Sequence, residues 1–371
     1  MGRRFGIEEE FFLADPHTGR PVCLTPGQAA DFLGLKGARM HAAPEFLACQ
    51  IENSTEICND RFQALQDVQD FRAALLAKAA AHGLVPLASA TPALPPAGGA
   101  CIGPGPRYAE IARHVPGLAR EHLLSGMHVH VETGSKRQGV AALNALRAWL
   151  PLLAALAANS PFWQGRDTGF ASWRTIQYRR WPTTGVPPFF ADATAYQQYL
   201  TLLLSSDAVL DPGAVGWAAR LSHRYPTVEV RVCDVQRTGQ EAVVLALLIR
   251  AIVDTALAGP AAADGTGSDL LNLELWQAAH AGVRGRCFDA VTGQNTGVAS
   301  AVARLLDYAG KALQRTGDDG LVHQVVEGML ARGNGAVRQR QDWQAAGASG
   351  VAVRAAREFC GTPDWLMEPA C

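Results

Sequence analysis

Three short segments of this 371-residue chain alternate polar and apolar residues with a period of two, and this pattern constrains the fold more than any other feature. Successive side chains of a β-strand point to opposite faces of a sheet. Each segment therefore predicts a strand with one polar and one apolar face. The pairs that share the polar faces are Glu8 with Glu10, His128 with His130, and Glu229 with Arg231. Together they predict a sheet with one packed face and one polar, concave face.

Two interpretations of these pairs follow from their chemistry. Neighbouring carboxylates repel each other, and burying them raises a pKa or demands a compensating cation. Carboxylate oxygens with an occasional imidazole are ligands that Mg²⁺ or Mn²⁺ accepts, so the segments indicate a metal site. Alternatively, the glutamates lie on a solvated edge strand, the histidines are structural, and Glu229 forms an ion pair with Arg231. The recurrence of the pattern in one chain favours the metal site.

The composition excludes several classes of function. Lys and Arg total 33 and Asp and Glu total 34, so the net charge of −1 gives no electrostatic reason to bind nucleic acid or an anionic membrane. No apolar run reaches membrane-spanning length, and we expect a cytoplasmic protein. The 8 cysteines include no Cys-x-x-Cys pair or zinc-like spacing, so we expect reduced thiols.

The remaining hydrophobic pattern predicts an α+β fold. The strand that contains Glu8 and Glu10 is predicted over residues 3–13, and further strands are predicted over residues 47–57 and 85–90. Helices are predicted over residues 60–83, 140–159, 195–204 and 241–257. Beyond residue 259 only helices are predicted, over residues 270–282, 298–314, 321–332 and 350–358. We therefore predict one catalytic domain over 1–371, with a sheet-plus-helix core at 1–259 and a helical C-terminal portion at 260–371.

Two long irregular segments, residues 91–107 and 160–188, interrupt these elements. Such loops in a compact domain often line or close a site. The second contains Arg166 and Arg174, and guanidinium groups bind phosphate or carboxylate oxygens in two-point contacts. Surface pairing with local acidic side chains is the other interpretation of these arginines.

Five motifs resemble a known family, the carboxylate–amine ligases, often called type 2 glutamate–cysteine ligases. The motifs are Gly6–Phe11, Gly126–His130, Asn159–Gly169, Tyr225–Asp234 and Gly333–Arg340. The resemblance covers essentially the whole chain in order. It implies a glutamine-synthetase-like fold, in which a curved antiparallel sheet backed by helices holds ATP, divalent cations and an amino acid on its concave face.

The resemblance also implies roles for individual residues. The implied metal ligands are Glu8, Glu10, Glu52, His128 and Glu229. His130 is expected close to the substrate or phosphate, and Arg231 is expected to contact the transferred phosphoryl group. Glu229, Arg231 and His130 are thus the expected catalytic residues, and Arg166, Arg174, Arg231 and His130 are expected to contact the nucleotide.

The implied reaction is ATP-dependent amide formation through an acyl phosphate, with Mg²⁺ or Mn²⁺, an amino acid such as glutamate, an amine such as cysteine, and a homodimeric enzyme. A loop that closes over the acyl phosphate is expected, from residues 91–107 or 160–188. Departures from the family pattern at Ala218, His280 and Val337 are expected to change substrate preference. A phosphotransferase on the same fold and a non-catalytic nucleotide-binding or metal-binding protein remain alternatives.

Overall fold

The computed structural model describes residues 2–37, 40–260, 266–289 and 293–361. The strands are β1 (Phe5–Ala14), β2 (Lys36–Gly37), β3 (Met40–Pro44), β4 (Gln50–Ser54), β5 (Val85–Leu87), β6 (Gly126–Glu132), β7 (Phe162–Trp163), β8 (Arg166–Asp167), β9 (Ala219–Leu221), β10 (Thr227–Asp234), β11 (Arg286–Asp289) and β12 (Gln294–Gly297). The α-helices are α1 (Pro26–Leu33), α2 (Arg61–Ala81), α3 (Pro106–His114), α4 (Pro116–Arg120), α5 (Lys136–Leu146), α6 (Leu150–Ala157), α7 (Trp173–Tyr178), α8 (Ala193–Leu204), α9 (Gly239–Ala258), α10 (Ser268–Ala281), α11 (Val298–Thr316), α12 (Asp319–Arg332) and α13 (Gly335–Glu358).

An antiparallel sheet of eight strands organises the fold, in the order β2-β3-β4-β1-β6-β10-β9, with β5 also pairing with β1. The three segments predicted from their alternation form β1, β6 and β10, which are direct neighbours. The predicted antiparallel sheet backed by helices is therefore confirmed.

One face of this sheet packs into the main apolar core. Ile7, Val129 and Val230 are buried there together with Val244 and Leu248 of α9. Burial of apolar surface of this kind is the main favourable term in folding. The alternation then leaves the glutamate and histidine side chains on the opposite face, where they form the site described below.

The middle residue of the Glu8-Glu9-Glu10 segment lies on the packed face and has a structural partner. Glu9 is fully buried and accepts hydrogen bonds from Arg72 of α2 at 2.5 and 3.2 Å. Helix α2 begins where the sequence predicts, because Asp60 caps the backbone amides of Phe62 and Gln63. This buried ion pair ties α2 to the centre of the sheet.

The C-terminal helices share the core of the sheet domain. Helices α11 and α12 contribute Leu305, Ala309 and Val325 to the apolar cluster that contains Val244 and Leu248 of α9. The prediction of helices alone beyond residue 259 is wrong at one place, where β11 and β12 form a two-stranded hairpin. The division of the chain at residue 259 stays a prediction.

Three further predictions of local structure differ from the observed elements. The helix predicted over 140–159 is two helices, α5 and α6, bent by 67° at the break. Pro151 lies in the first turn of α6, where backbone amides have no partner within the helix and proline is tolerated. In the interior of one continuous helix, the same proline would remove a backbone hydrogen bond. Pro106 likewise begins α3 inside the expected loop of 91–107, and the loop 160–188 contains the β7–β8 hairpin and α7.

No single helix in the described ranges is long and apolar enough to cross a membrane, and only the bent pair α5 and α6 meets the length and composition limits together.

The expectation that the thiols are reduced is wrong for one pair. Cys23 and Cys101 form a disulfide whose Cα atoms are 6.2 Å apart. Cys49, Cys58, Cys233 and Cys360 are free thiols.

Candidate active site

The strand register places the predicted metal ligands side by side. Glu8 lies opposite His128, and Glu10 lies opposite Glu52. Across the next pair of strands, Glu229 of β10 lies opposite His130 of β6. Because directly opposed residues in an antiparallel pair point to the same face, these side chains meet on the face away from the core.

One cluster consists of Glu8, His128 and Glu229, whose ligand atoms lie within 4.8 Å of one another. His128 Nδ1 lies 3.1 Å from Glu8 Oε2, and His130 Nε2 lies 3.3 Å from Glu8 Oε1. Burial and the charge of Arg231 lower the pKa of His128, which keeps the imidazole neutral. A neutral imidazole is the form that binds a metal.

Glu8 stays ionised in this cluster. Burial alone would raise the pKa of Glu8, but hydrogen bonds from His128 and His130 outweigh it and lower that pKa. A carboxylate beside a neutral imidazole is a donor set that a hard divalent cation accepts.

A second cluster consists of Glu10, Glu45 and Glu52, whose ligand atoms also lie within 4.8 Å of one another. Burial and the charge of Glu10 raise the pKa of Glu45 to about 7. Burial and the charges of Glu45 and Glu8 raise the pKa of Glu52 well above its ordinary value. Three carboxylates this close without a cation repel one another, so the cluster is also a candidate cation site.

Replacing Glu45 with glutamine should stabilise the metal-free protein at about pH 8 but have little effect on its stability at about pH 4. The pKa of Glu45 is higher in the folded protein than in the unfolded chain, so its ionisation lowers the free energy of unfolding as the pH rises from about 4.5 to about 7. Glutamine does not ionise and avoids this loss.

Melting temperatures measured at both pH values in a chelating buffer test this. Glu110→Gln, on the exposed side of α3, is the control and should show no such pH dependence. An equal effect of Glu45→Gln at both pH values would contradict the charge repulsion.

Two arginines hold the carboxylate of Glu229. Arg220 of β9 donates from Nε and Nη2 at 2.9 and 3.1 Å, and Arg231 donates from Nη1. Burial would raise the pKa of Glu229, but the charges of Arg231 and Arg220 outweigh it and lower that pKa. Glu229 is therefore ionised at neutral pH, and it both joins the first cluster and orients Arg231.

The residues predicted to contact the nucleotide do not all lie together in the structure. Arg174 is buried behind Arg231, donating to the carbonyl oxygens of Arg231 and Val232 at 3.2 and 3.4 Å. His130 Nδ1 forms a hydrogen bond with Thr227 Oγ1 at 2.9 Å, and His130 lies on the same face as the carboxylate clusters. Arg166, in contrast, is exposed on the separate β7–β8 hairpin, so the structure does not bring it to the other predicted site residues.

The candidate active site is one large open cleft with a volume of about 1080 Å³. Its lining includes both carboxylate clusters, Arg231, and the His223-Arg224-Tyr225 turn before β10. Ligand clefts commonly enclose roughly 300–1,000 Å³, so this one has room for a nucleotide and a small substrate together. A smaller pocket, lined partly by Phe46 and Trp181, joins the cleft at Glu10 and Arg231.

The fold has counterparts among solved ligase structures. Glutamate–cysteine ligase from Francisella tularensis, solved in complex with AMP, matches with a TM-score of 0.70 and 12% identity over 96% of this chain and 89% of that one. The ligase PafA, solved with the ubiquitin-like protein Pup, matches with a TM-score of 0.52 and 8% identity over 92% of this chain and 67% of that one. The architecture is therefore a glutamine-synthetase-like fold.

The sequence comparisons identify the family within this class. The profile of glutamate-cysteine ligase family 2 matches residues 4–355. A relative from Nocardia farcinica named "Putative glutamate--cysteine ligase 2-1" is 40% identical over 337 residues, which are 90% of this chain and 87% of the relative. A similarly named relative from Streptomyces coelicolor is 38% identical over 343 residues, 91% of this chain and 94% of the relative. The chain belongs to glutamate-cysteine ligase family 2 and is a ligase.

Proposed function

We propose that this ligase joins a carboxylate to an amine at the expense of ATP, with Mg²⁺ or Mn²⁺ held by the two carboxylate clusters. A single observation carries the proposal: five acidic side chains and one histidine from four neighbouring strands and a connecting loop form two cation-sized clusters in one cleft. Arg231 contacts Glu229 of the first cluster and lines the same cleft as the second. Family membership supports glutamate as the carboxylate donor.

The proposed reaction has two steps. A carboxylate oxygen of the donor attacks the γ-phosphorus of ATP, forming an acyl phosphate as the bond to ADP breaks. The amine nitrogen then attacks the acyl carbon, forming the amide bond as the bond to phosphate breaks, and a proton is released to solvent. Both steps spread negative charge over phosphate oxygens, so catalysis depends on positioning and on opposite charge.

The residues of the cleft have corresponding roles in this proposal. Glu8, His128 and Glu229 would hold one cation, and Glu10, Glu45 and Glu52 a second. Cations bound there would neutralise the phosphate oxygens. Arg231, which Glu229 orients, would contact the phosphoryl group in transfer, and His130 lies opposite Glu229 on the neighbouring strand.

Nucleotide binding should depend on the metal. Calorimetric titration with ADP should give heat and saturable binding in the presence of Mg²⁺ and a much weaker signal in a chelating buffer, because the carboxylates otherwise repel the phosphates. Equal affinity with and without the cation would contradict a metal-bridged nucleotide.

Product analysis tests the reaction itself. The purified protein, with MgATP, glutamate and hydroxylamine, should release phosphate and form γ-glutamyl hydroxamate, which mass spectrometry detects. A stable phosphorylated product without an amide would indicate a phosphotransferase, and no turnover of ATP would overturn catalysis by this cleft. From the family resemblance we also infer a cytoplasmic homodimer, which sedimentation and fractionation would test.

A further inference from the structure

A small pocket beside the candidate active site has walls that the proposed chemistry does not use. Its apolar walls come from Phe46, Tyr108, Ile111, Trp181 and Leu210. Glu10, Glu45, His128 and Arg231 line both this pocket and the large cleft, so they mark where the two join. The pocket therefore opens directly onto the carboxylate clusters.

The size of the pocket constrains what fills it. Its volume is about 150 Å³. A single water occupies roughly 10–15 Å³ of such space. The side chain of cysteine has two heavy atoms beyond its Cα atom and would leave most of this volume empty, whereas a phenyl or branched aliphatic group would fill it.

Glu10 and Glu45 bring negative charge to the junction with the cleft, whereas the arginines that line the pocket are paired with acidic side chains. Arg107 is paired with Asp211 at 2.7 Å, and Arg231 is held by Glu229. Burial and the charges of Arg174 and Arg180 lower the pKa of His122 to about 3, so this wall residue is neutral. Its Nδ1 atom is buried and has no hydrogen-bond partner among the described residues. Such walls suit a neutral, mainly apolar group, because an unpaired charge is costly to bury.

The position of the pocket distinguishes between the possible ligands. An adenine here would need space for the ribose and two phosphates before the γ-phosphate reached the clusters, but the pocket joins the cleft at the clusters themselves. The donor glutamate carries charged amino and carboxylate groups beside its reacting carboxylate, which the polar cleft accommodates better. The nitrogen of the acceptor amine has to reach the carbon of that reacting carboxylate. The substituent on the nitrogen then points away from this carbon.

We propose that this pocket receives the carbon skeleton of an acceptor amine that is bulkier and more apolar than cysteine, of the arylalkyl or branched alkyl class. The proposal rests on the proposed ligase function. The nitrogen of this acceptor lies at the junction with the cleft, and its apolar substituent lies between Ile111 and Trp181.

A competition between acceptors of different size tests this inference. With MgATP and glutamate, kcat/KM should be at least about tenfold higher for phenethylamine than for cysteine, since filling an apolar pocket discriminates by this order. Hydroxylamine, which has no carbon skeleton, is the reference acceptor. If the wild-type protein forms no hydroxamate, the proposed function fails. If it forms hydroxamate but prefers cysteine to phenethylamine, this inference alone is overturned.

Two substitutions at one half-buried wall residue sharpen the test. Ile111→Trp fills the pocket and should lower the ratio of kcat/KM for phenethylamine to that for hydroxylamine at least about tenfold. Ile111→Ala enlarges the pocket and should shift preference toward larger amines. Leu273→Trp, at an exposed position on α10, is the control and should leave the ratio unchanged.

Either of two results would overturn the assignment. One is an unchanged ratio in both folded Ile111 variants. The other is a raised KM for ATP in Ile111→Trp with the acceptor ratio unchanged, which would place the adenine in this pocket instead.

Discussion

Replacing Arg231 with lysine should lower ATP turnover about 1,000-fold, the order by which a single arginine accelerates phosphoryl transfer in other enzymes. Arg231 is oriented by Glu229 and lies where the two carboxylate clusters meet the small pocket. An ammonium group has one charged nitrogen, and it cannot donate to Glu229 and to a phosphate oxygen in the fixed planar geometry of a guanidinium. Turnover is measured as phosphate release with saturating MgATP, glutamate and hydroxylamine.

The matched control for this prediction is Arg237→Lys. Arg237 is fully buried and pairs with Asp342 at 2.6 Å and with Glu358 at 3.0 Å, in a network of the helical portion and away from the cleft. That variant should melt at a lower temperature and keep its turnover when folded. If Arg231→Lys retained near-normal turnover, Arg231 would be a structural residue and the proposed phosphoryl contact would be wrong.

Replacing Glu229 with glutamine should lower turnover by about 100- to 1,000-fold, because one change removes a charge from the first cluster and loosens Arg231. The carboxylate is buried and holds Arg220 and Arg231 at once. Glutamine keeps the shape and one acceptor oxygen, so the variant should fold, with a lower melting temperature from two incompletely compensated arginines.

Glu241→Gln separates loss of stability from loss of function. Glu241 is equally buried and pairs with Arg338 at 2.5 Å, and it also closes the capping box of α9 with Thr238. Its loss should lower the melting temperature without a comparable loss of turnover. Equal turnover in folded Glu229→Gln and wild-type protein would remove Glu229 from the candidate site.

The sequence predicts the centre of the site well because the signal there is local. Alternation places Glu8 and Glu10 on one face of a strand, and the same holds for His128 and His130. The antiparallel register then makes Glu8 and His128 direct neighbours, as the resemblance to the family also implies. No long-range information is needed to group residues within one strand.

The residues that sequence reasoning misses depend on contacts between elements. Glu45 follows the end of β3 in a Pro-Glu-Phe segment without periodicity, and only the pairing of β3 with β4 brings it beside Glu52. Arg220 lies in a strand of three residues, too short for a pattern, and reaches Glu229 because β9 pairs with β10. Ala218, one of the departures from the family pattern, lies two residues before Arg220, but alternation assigns Arg220 no role.

A β-bulge explains one further difference. Strict alternation puts Cys233 on the same face as Glu229 and Arg231, yet the thiol is fully buried in the main core. Between Val230 and Cys233 the register with β6 shifts, so Arg231 and Val232 together oppose His128. Such a bulge places an extra residue on one strand and breaks the period of two. Arg231 stays in the cleft, and Cys233 joins the core.

Anomalous diffraction from crystals grown with Mn²⁺ and a non-hydrolysable ATP analogue tests the central claim most directly. We expect manganese peaks within coordination distance of Glu8, His128 and Glu229 and of Glu10, Glu45 and Glu52, next to the terminal phosphate. Manganese or nucleotide bound elsewhere, with both clusters empty, would contradict it.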